Sequence, residues 1–226
     1  MTTIEGNLQA VRDRIAAACR AAGRDPNSVR LLAVSKTFDA GTVAVAFEAG
    51  QHSFGENYIQ EAVDKIQALR PRPIEWHCIG PIQSNKTRLV AEHFDWVQSL
   101  DRLKIAQRLD AQRPDHLPPL QVCIQVNTDG GPTKAGVPPG DVAALAEAIR
   151  GLPRLRLRGL MTIPEPAADF AAACALHARA RELFDALNAD GMALDTLSMG
   201  MSADLDAAIH AGSTMVRVGT AVFGHR

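Results

Sequence analysis

Apolar residues recur along the chain in two alternating rhythms. Ile4, Leu8, Val11, Ile15 and Cys19 fall three or four apart, the spacing of one helical face, and Gly23 ends the pattern, so a helix is predicted over 4–22. Next comes Arg30-Leu-Leu-Ala-Val-Ser-Lys-Thr37, a short run that reads as a buried strand, followed by a helical stretch at 42–49 ended by Gly50. The unit then repeats. Strands are predicted at 52–56, 74–79, 96–100, 120–126, 156–162, 196–199 and 215–219. Between them lie helical patterns, one with Ile59, Val63 and Ile66 on a single face, the others near 84–93, 101–111, 140–150, 168–189 and 202–211. Asp101 and Asp141 read as N-caps, and Gly151, Gly191 and Gly212 as stops.

Strands separated by helices must run parallel, because a parallel crossover needs about a dozen residues or more. Eight such units predict an α/β fold, a single (β/α)8 TIM barrel occupying residues 1–226 as one domain. No helical pattern follows the eighth strand, so the extra N-terminal helix is expected to cover that gap. An open doubly wound sheet is the rival, but few insertions within 226 residues favour the barrel.

Composition narrows the partners. Lys and Arg number 24 against 25 Asp and Glu, a formal net charge of −1, so nothing drives the chain toward nucleic acid or an acidic membrane. No apolar run approaches the ~20 residues of a membrane span, and the N-terminal MTTIEGNLQAVRDR lacks the basic and apolar regions of a signal peptide. Cys19, Cys78, Cys123 and Cys174 lie too far apart for a disulfide framework or zinc site, and the histidines are scattered, so no metal is expected and a reducing cytoplasm is. Cys78 and Cys123 read as core thiols, and Arg154, Arg156 and Arg158 as a solvated or helix-covered rim.

The chemically capable residues gather at the C-terminal ends of the strands, which in a barrel form one ring around one mouth. Lys36 closes the first strand, whereas most of the other four lysines (65, 86, 104 and 134) read as helix or loop positions. Partial burial would free its amine to form a Schiff base with an aldehyde; a lysine snorkelling to water is the other reading. Gly200-Met201-Ser202 leads from strand seven into a helix with Ser202 at its N-cap, and Gly219-Thr220 follows strand eight. Loops after strands seven and eight often build a phosphate site in barrels, although glycines there also serve as plain turns. A rim lysine and a phosphate cradle together suggest a phosphorylated aldehyde, and pyridoxal 5′-phosphate (PLP) fits. His77 reads equally as a mouth residue or a satisfied core histidine. Gly80-Pro-Ile-Gln-Ser-Asn-Lys86-Thr87 is one residue from a P-loop, but Pro81 removes a donor and no aspartate-ending strand supplies a magnesium partner.

With these residues assembled, the chain resembles the pyridoxal phosphate homeostasis protein family, itself similar to the N-terminal barrel of alanine racemase. The matching stretches are LLAVSKT at 31–37, FGENYIQE at 54–61, WHCIGPIQSNK at 76–86, VNTDGGPTKAG at 126–136, RGLMTI at 158–163 and LSMGMSADLDAAIHAGSTMVRVGTAVFG at 197–224. The resemblance implies a PLP Schiff base on Lys36, phosphate contacts from the 200–202 turn (Gly200, Met201, Ser202) and from Gly219 and Thr220, Arg217 beside the pyridine nitrogen, and Asn57 and His77 around the ring, with Ser198 in the same group. It departs from the family pattern at 129–132 and at Asp206, on the rim. An arginine at the ring nitrogen weakens the cofactor as an electron sink. No catalytic residue is therefore assigned. The resemblance implies a PLP-binding protein of intracellular PLP, amino-acid and keto-acid balance; a short chain lacking a dimerising second domain suggests a monomer, and PLP-requiring apoenzymes are candidate partners. A single-domain PLP-dependent racemase or lyase of low activity is the alternative.

Overall fold

The computed structural model describes residues 3–130 and 135–224. Within them the short apolar runs become strands β1 (Arg30–Val34), β2 (Ser53–Glu56), β3 (Glu75–Cys78), β4 (Trp96–Leu100), β5 (Leu120–Val126), β6 (Leu155–Thr162), β7 (Thr196–Ser198) and β8 (Met215–Val218). The helical patterns become α1 (Ile4–Ala21), α2 (Ala40–Glu48), α3 (Ile59–Ala68), α4 (Thr87–His93), α5 (Leu103–Gln112), α6 (Val142–Arg150), α7 (Phe170–Ala189), α8 (Leu205–His210) and α9 (Thr220–Phe223). Every strand pairs in parallel with the next in sequence, and β8 returns to β1 through Arg30↔Met215 to Ala33↔Val218. That last pairing decides between the two folds: the sheet is a closed barrel, not an open one.

The helices lie outside because each has one apolar face. α1 buries Leu8, Val11, Ile15 and Cys19, and each buried aliphatic chain of this size is worth about 1.5–3 kcal/mol. α1 packs against α8, α9 and α2, which is the gap left to it by the sequence. One detail differs: a short helix, α9, does follow β8, and α1 lies beside it. Among the described residues, three side chains cap α-helices, with Thr3 accepting from Gly6 N–H, Asp39 from Thr42 N–H and Asp169 from Ala172 N–H. Asp101 does not cap α5; Arg102 holds that place, and Asp101 Oδ1 accepts from its guanidinium at 2.6 Å. Asp141 does precede α6, with no side-chain cap bond.

Of the arginine row at the start of β6, Arg154 and Arg158 are paired rim residues. Arg154 bonds Asp115, and Arg158 bonds Asp195 while lying over the Trp96 ring at 4.8 Å. Cys78 and Cys123 are fully buried, and burial pushes both thiols up to about 12, so they are inert core groups.

Candidate cofactor site

The ends of β1, β2, β3, β6, β7 and β8 enclose a cavity of about 360 Å³ at the mouth of the barrel, a small-molecule size. Its polar lining comes from Lys36, Asn57, Ser202, Arg217 and Thr220, and its apolar walls from Val34, Ile79, Ile163 and Met201, with Ala203 and Gly219 completing it. Among the described residues, two cationic side chains and no carboxylate line this space. The donor set therefore suits an anion with an apolar body.

Seven of the ten residues expected at the site line this cavity: Lys36, Asn57, Met201, Ser202, Arg217, Gly219 and Thr220. Lys36 lies two residues past β1 and is exposed. The partial burial expected of its amine is not found, because the strand stops at Val34 and a turn carries residues 35–37 out over the rim.

Arg217 is deeply buried on β8. Burial pushes its guanidinium down to about 10, which leaves it a cation at neutral pH. Its Nη2 donates to Thr162 O at 2.7 Å and its Nη1 to Ser198 Oγ at 2.8 Å. Ser198 in turn donates to Gln98 Oε1 at 2.6 Å. Gln98 Nε2 lies 2.9 Å from His77 Nδ1, and His77 Nε2 lies 2.8 Å from Glu75 Oε1. Burial holds the His77 imidazole below its usual value, so it is neutral, and every group fits one direction of donation from Arg217 down to Glu75.

Two residues expected at the site, His77 and Ser198, lie below the cavity. His77 is fully buried, stacked on Trp96 at 5.0 Å, with both nitrogens engaged. It shares a barrel face with Ile79 but sits two residues lower, about 6.6 Å along the strand. Ser198 is likewise beneath the mouth, where it orients Arg217. Neither lines the cavity. Gly200 does not line it either; its φ of +95° and the 2.5 Å approach that a Cβ would make to Ala208 Cβ explain why glycine stands there.

The turn over strand seven is tied differently from expectation. Helix α8 begins at Leu205, so Ser202 is not its N-cap. Asp204 takes the Met201 N–H on Oδ1 at 2.7 Å and faces His177 Nε2 through Oδ2 at 2.9 Å. Although burial pushes the Asp204 carboxyl up, these bonds outweigh it and hold it below the usual range. Asp204 therefore does more than sit in a helix dipole, and Asp206 pairs with Arg14 at 2.5 Å.

The near-P-loop has a packing reason. A Cβ on Gly80 would come within 2.3 Å of Asn57 O and 2.7 Å of Asn57 Cα. Glycine here lets the β3 end press Asn57 into the cavity wall. The Thr87 hydroxyl donates to Ser84 O and accepts from Arg108, so it is spent within the protein. Gly80→Ala is expected to cost about 1–3 kcal/mol of stability, the usual effect of overpacking. Urea denaturation checks this, and an unchanged midpoint would contradict the close approach.

Sequence reasoning missed the walls Val34, Ile79 and Ile163, and also Lys65. Lys65 is buried on α3 rather than a solvated helix position. Its Nζ donates to Ser35 O at 2.9 Å and pairs with Glu56 and Glu61, each at 2.7 Å. The signal was present in the spacing, since Lys65 stands beside Ile66 and one turn after Ala62 on the buried face. The 126–136 stretch is only partly described: residues 131–134, including Lys134, lie outside the described residues.

The family model described as alanine racemase, N-terminal domain, matches residues 6–226. The pyridoxal phosphate homeostasis protein of Pseudomonas aeruginosa is 60% identical over 226 residues, covering 100% of this chain and 97% of its own. The chain belongs to the pyridoxal phosphate homeostasis protein family. The Escherichia coli member is 52% identical over 229 residues, covering 100% of this chain and 98% of its own. PipY of Synechococcus elongatus, solved with PLP bound, is 38% identical with a TM-score of 0.80, covering 93% of this chain and 100% of that one. Alanine racemase of Corynebacterium glutamicum, at 16% identity and a TM-score of 0.70, covers 97% of this chain and 62% of its own, and shares the barrel alone. Among the described residues no helix is long and apolar enough to cross a membrane.

Proposed function

We propose that this barrel binds pyridoxal 5′-phosphate at its mouth, attached covalently through the Lys36 amine, and serves intracellular PLP homeostasis as a carrier rather than an enzyme. The observation that carries the reading is the cavity that an exposed lysine and a buried arginine both line, with no carboxylate among its described lining residues. The relatives named for PLP homeostasis, and PipY with PLP bound, support it. The cofactor supplies an aldehyde carbon to which an amine can add, together with a phosphate anion. Ser202, Gly219 and Thr220 would receive the phosphate, and Val34, Ile79 and Ile163 would exclude water from the ring faces. Arg217 would meet the ring nitrogen as a donor, held in that direction by Ser198 and Thr162. PLP-requiring apoenzymes are the natural recipients of the cargo, and the barrel would act as a monomer. The free thiols among the described residues suit a reducing cytoplasm.

The racemase or lyase alternative is favoured by the shared barrel with alanine racemase. Against it stands the supply of bases. Proton abstraction on either face of a bound amino acid needs a positioned base. Lys36 would serve one face. Tyr58 stands at the N-cap of α3 with its side chain exposed, and His77 is buried with both nitrogens bonded. A cationic Arg217 would also stabilise a carbanion poorly. A chiral assay on alanine and other amino acids, with Lys36→Ala as blank, is expected to give no turnover above that blank. Turnover near ~1 s⁻¹, the low end of ordinary enzymes, that vanishes in the blank would establish the enzyme instead.

A further inference from the structure

Lys36 stands on a backbone that is held from three directions. Thr37, immediately after it, has φ of +71°, the left-handed region that a β-branched residue disfavours. Such a conformation persists only where its surroundings impose it. Here they do. The Thr37 N–H donates to Glu61 Oε1 at 2.6 Å. On the other side of Lys36, Ser35 is fully buried; its hydroxyl donates to Glu56 Oε1 at 2.6 Å and its carbonyl accepts from Lys65 Nζ. Lys65 then joins both carboxylates, Glu56 on β2 and Glu61 one helical turn before it on α3. The Lys36 side chain makes none of these bonds.

We propose that Glu61, Lys65 and Glu56 are positioning residues, a clamp on residues 35 and 37 that fixes the direction in which Lys36 presents its amine to the aldehyde. The proposal rests on the assignment of Lys36 as the covalent anchor. The clamp is built from charges for a physical reason. A buried ammonium with three acceptors resists rotation far more than an apolar contact does, since each bond lost would leave a charge without a partner. Lys65 is itself thereby withdrawn from reaction, although it is the nearest other lysine in sequence. Glu56 has a second carboxylate oxygen, Oε2, buried with no hydrogen-bond partner among the described residues, and burial pushes its carboxyl up. Capture of an aldehyde forms one C=N bond at Lys36 Nζ and releases one water, so no further reactant enters.

The test compares two ligands on the full chain. PLP can bond Lys36, whereas pyridoxine 5′-phosphate carries an alcohol in place of the aldehyde and cannot. In Lys65→Met and Glu61→Ala, PLP affinity is expected to fall at least about tenfold, the scale of one lost charge-assisted hydrogen bond, with pyridoxine 5′-phosphate affinity held within about twofold. Glu61→Gln keeps an acceptor for Thr37 N–H and is expected to retain PLP affinity within about threefold. In the cofactor-free protein, Glu61→Ala is expected to speed amide exchange at Thr37, and Glu61→Gln is not. Equal weakening of both ligands would overturn the proposal, because a cavity merely distorted treats them alike; so would unchanged PLP affinity. Should Lys65→Met fail to fold, the half-exposed Glu61 decides by itself. Failure of the underlying assignment is seen separately, as wild-type protein that yields no borohydride-trapped adduct on Lys36.

Discussion

Lys36→Ala is expected to lose covalent capture of pyridoxal 5′-phosphate completely while the barrel stays folded. The side chain is exposed, and no hydrogen bond or ion pair among the described residues holds its amine. Truncating a surface side chain of this kind changes stability by no more than about 0.5 kcal/mol. The turn beneath it is fixed through Ser35 and Thr37, neither of which the substitution touches. Capture itself is expected to be all or none, because the proposed bond is made to Nζ. With substoichiometric PLP, the wild-type protein is expected to show the visible absorption of an imine. Borohydride should fix it on the peptide containing Lys36, and the variant should show neither. Lys65 cannot substitute, being buried and bonded to three acceptors. An adduct mapped to Lys65, Lys86 or Lys134, or persisting in the variant, would move the site elsewhere.

Pyridoxal, which lacks the phosphate, is expected to bind weaker than PLP by orders of magnitude. The turn 201–203, with Gly219 and Thr220, lines the same cavity as Lys36 and Arg217. A phosphate there would take charge-assisted hydrogen bonds worth about 1.5–3 kcal/mol each. Losing two of them costs ~3–6 kcal/mol, or roughly 10²–10⁴ in affinity. Both aldehydes can still reach the Lys36 amine, so the comparison isolates the anion. Titration of each, followed at the imine absorption, measures it. Equal affinities would leave the two loops as turns with no cradle.

Periodicity alone was enough for the eight strands, because short apolar runs and 3.6-residue patterns alternate along the whole chain. Their boundaries moved by a few residues at most at strand ends, the largest shift being at β1, where the run to Thr37 ends as a strand at Val34. Parallel order followed from the helices between strands, and barrel over open sheet from the economy of the chain. The position of Lys36, the loops at 200–202 and 219–220, and Arg217 were legible because the C-terminal strand ends of a barrel share one mouth. Tertiary structure decided depth and partnership. A strand's alternation tells which residues face the barrel interior, but not which layer they occupy; that depends on how the strands are staggered in the closed sheet. Hence His77 and Ser198, both expected at the site, lie below the cavity, bonded through Gln98, a residue 100 positions from Ser198. The same holds for Lys65. Sequence spacing set it at the edge of an apolar helix face, but only folding brought β2's Glu56 and the carbonyl of Ser35 within reach of its ammonium, and so turned an ordinary helical lysine into the support of the turn that carries Lys36.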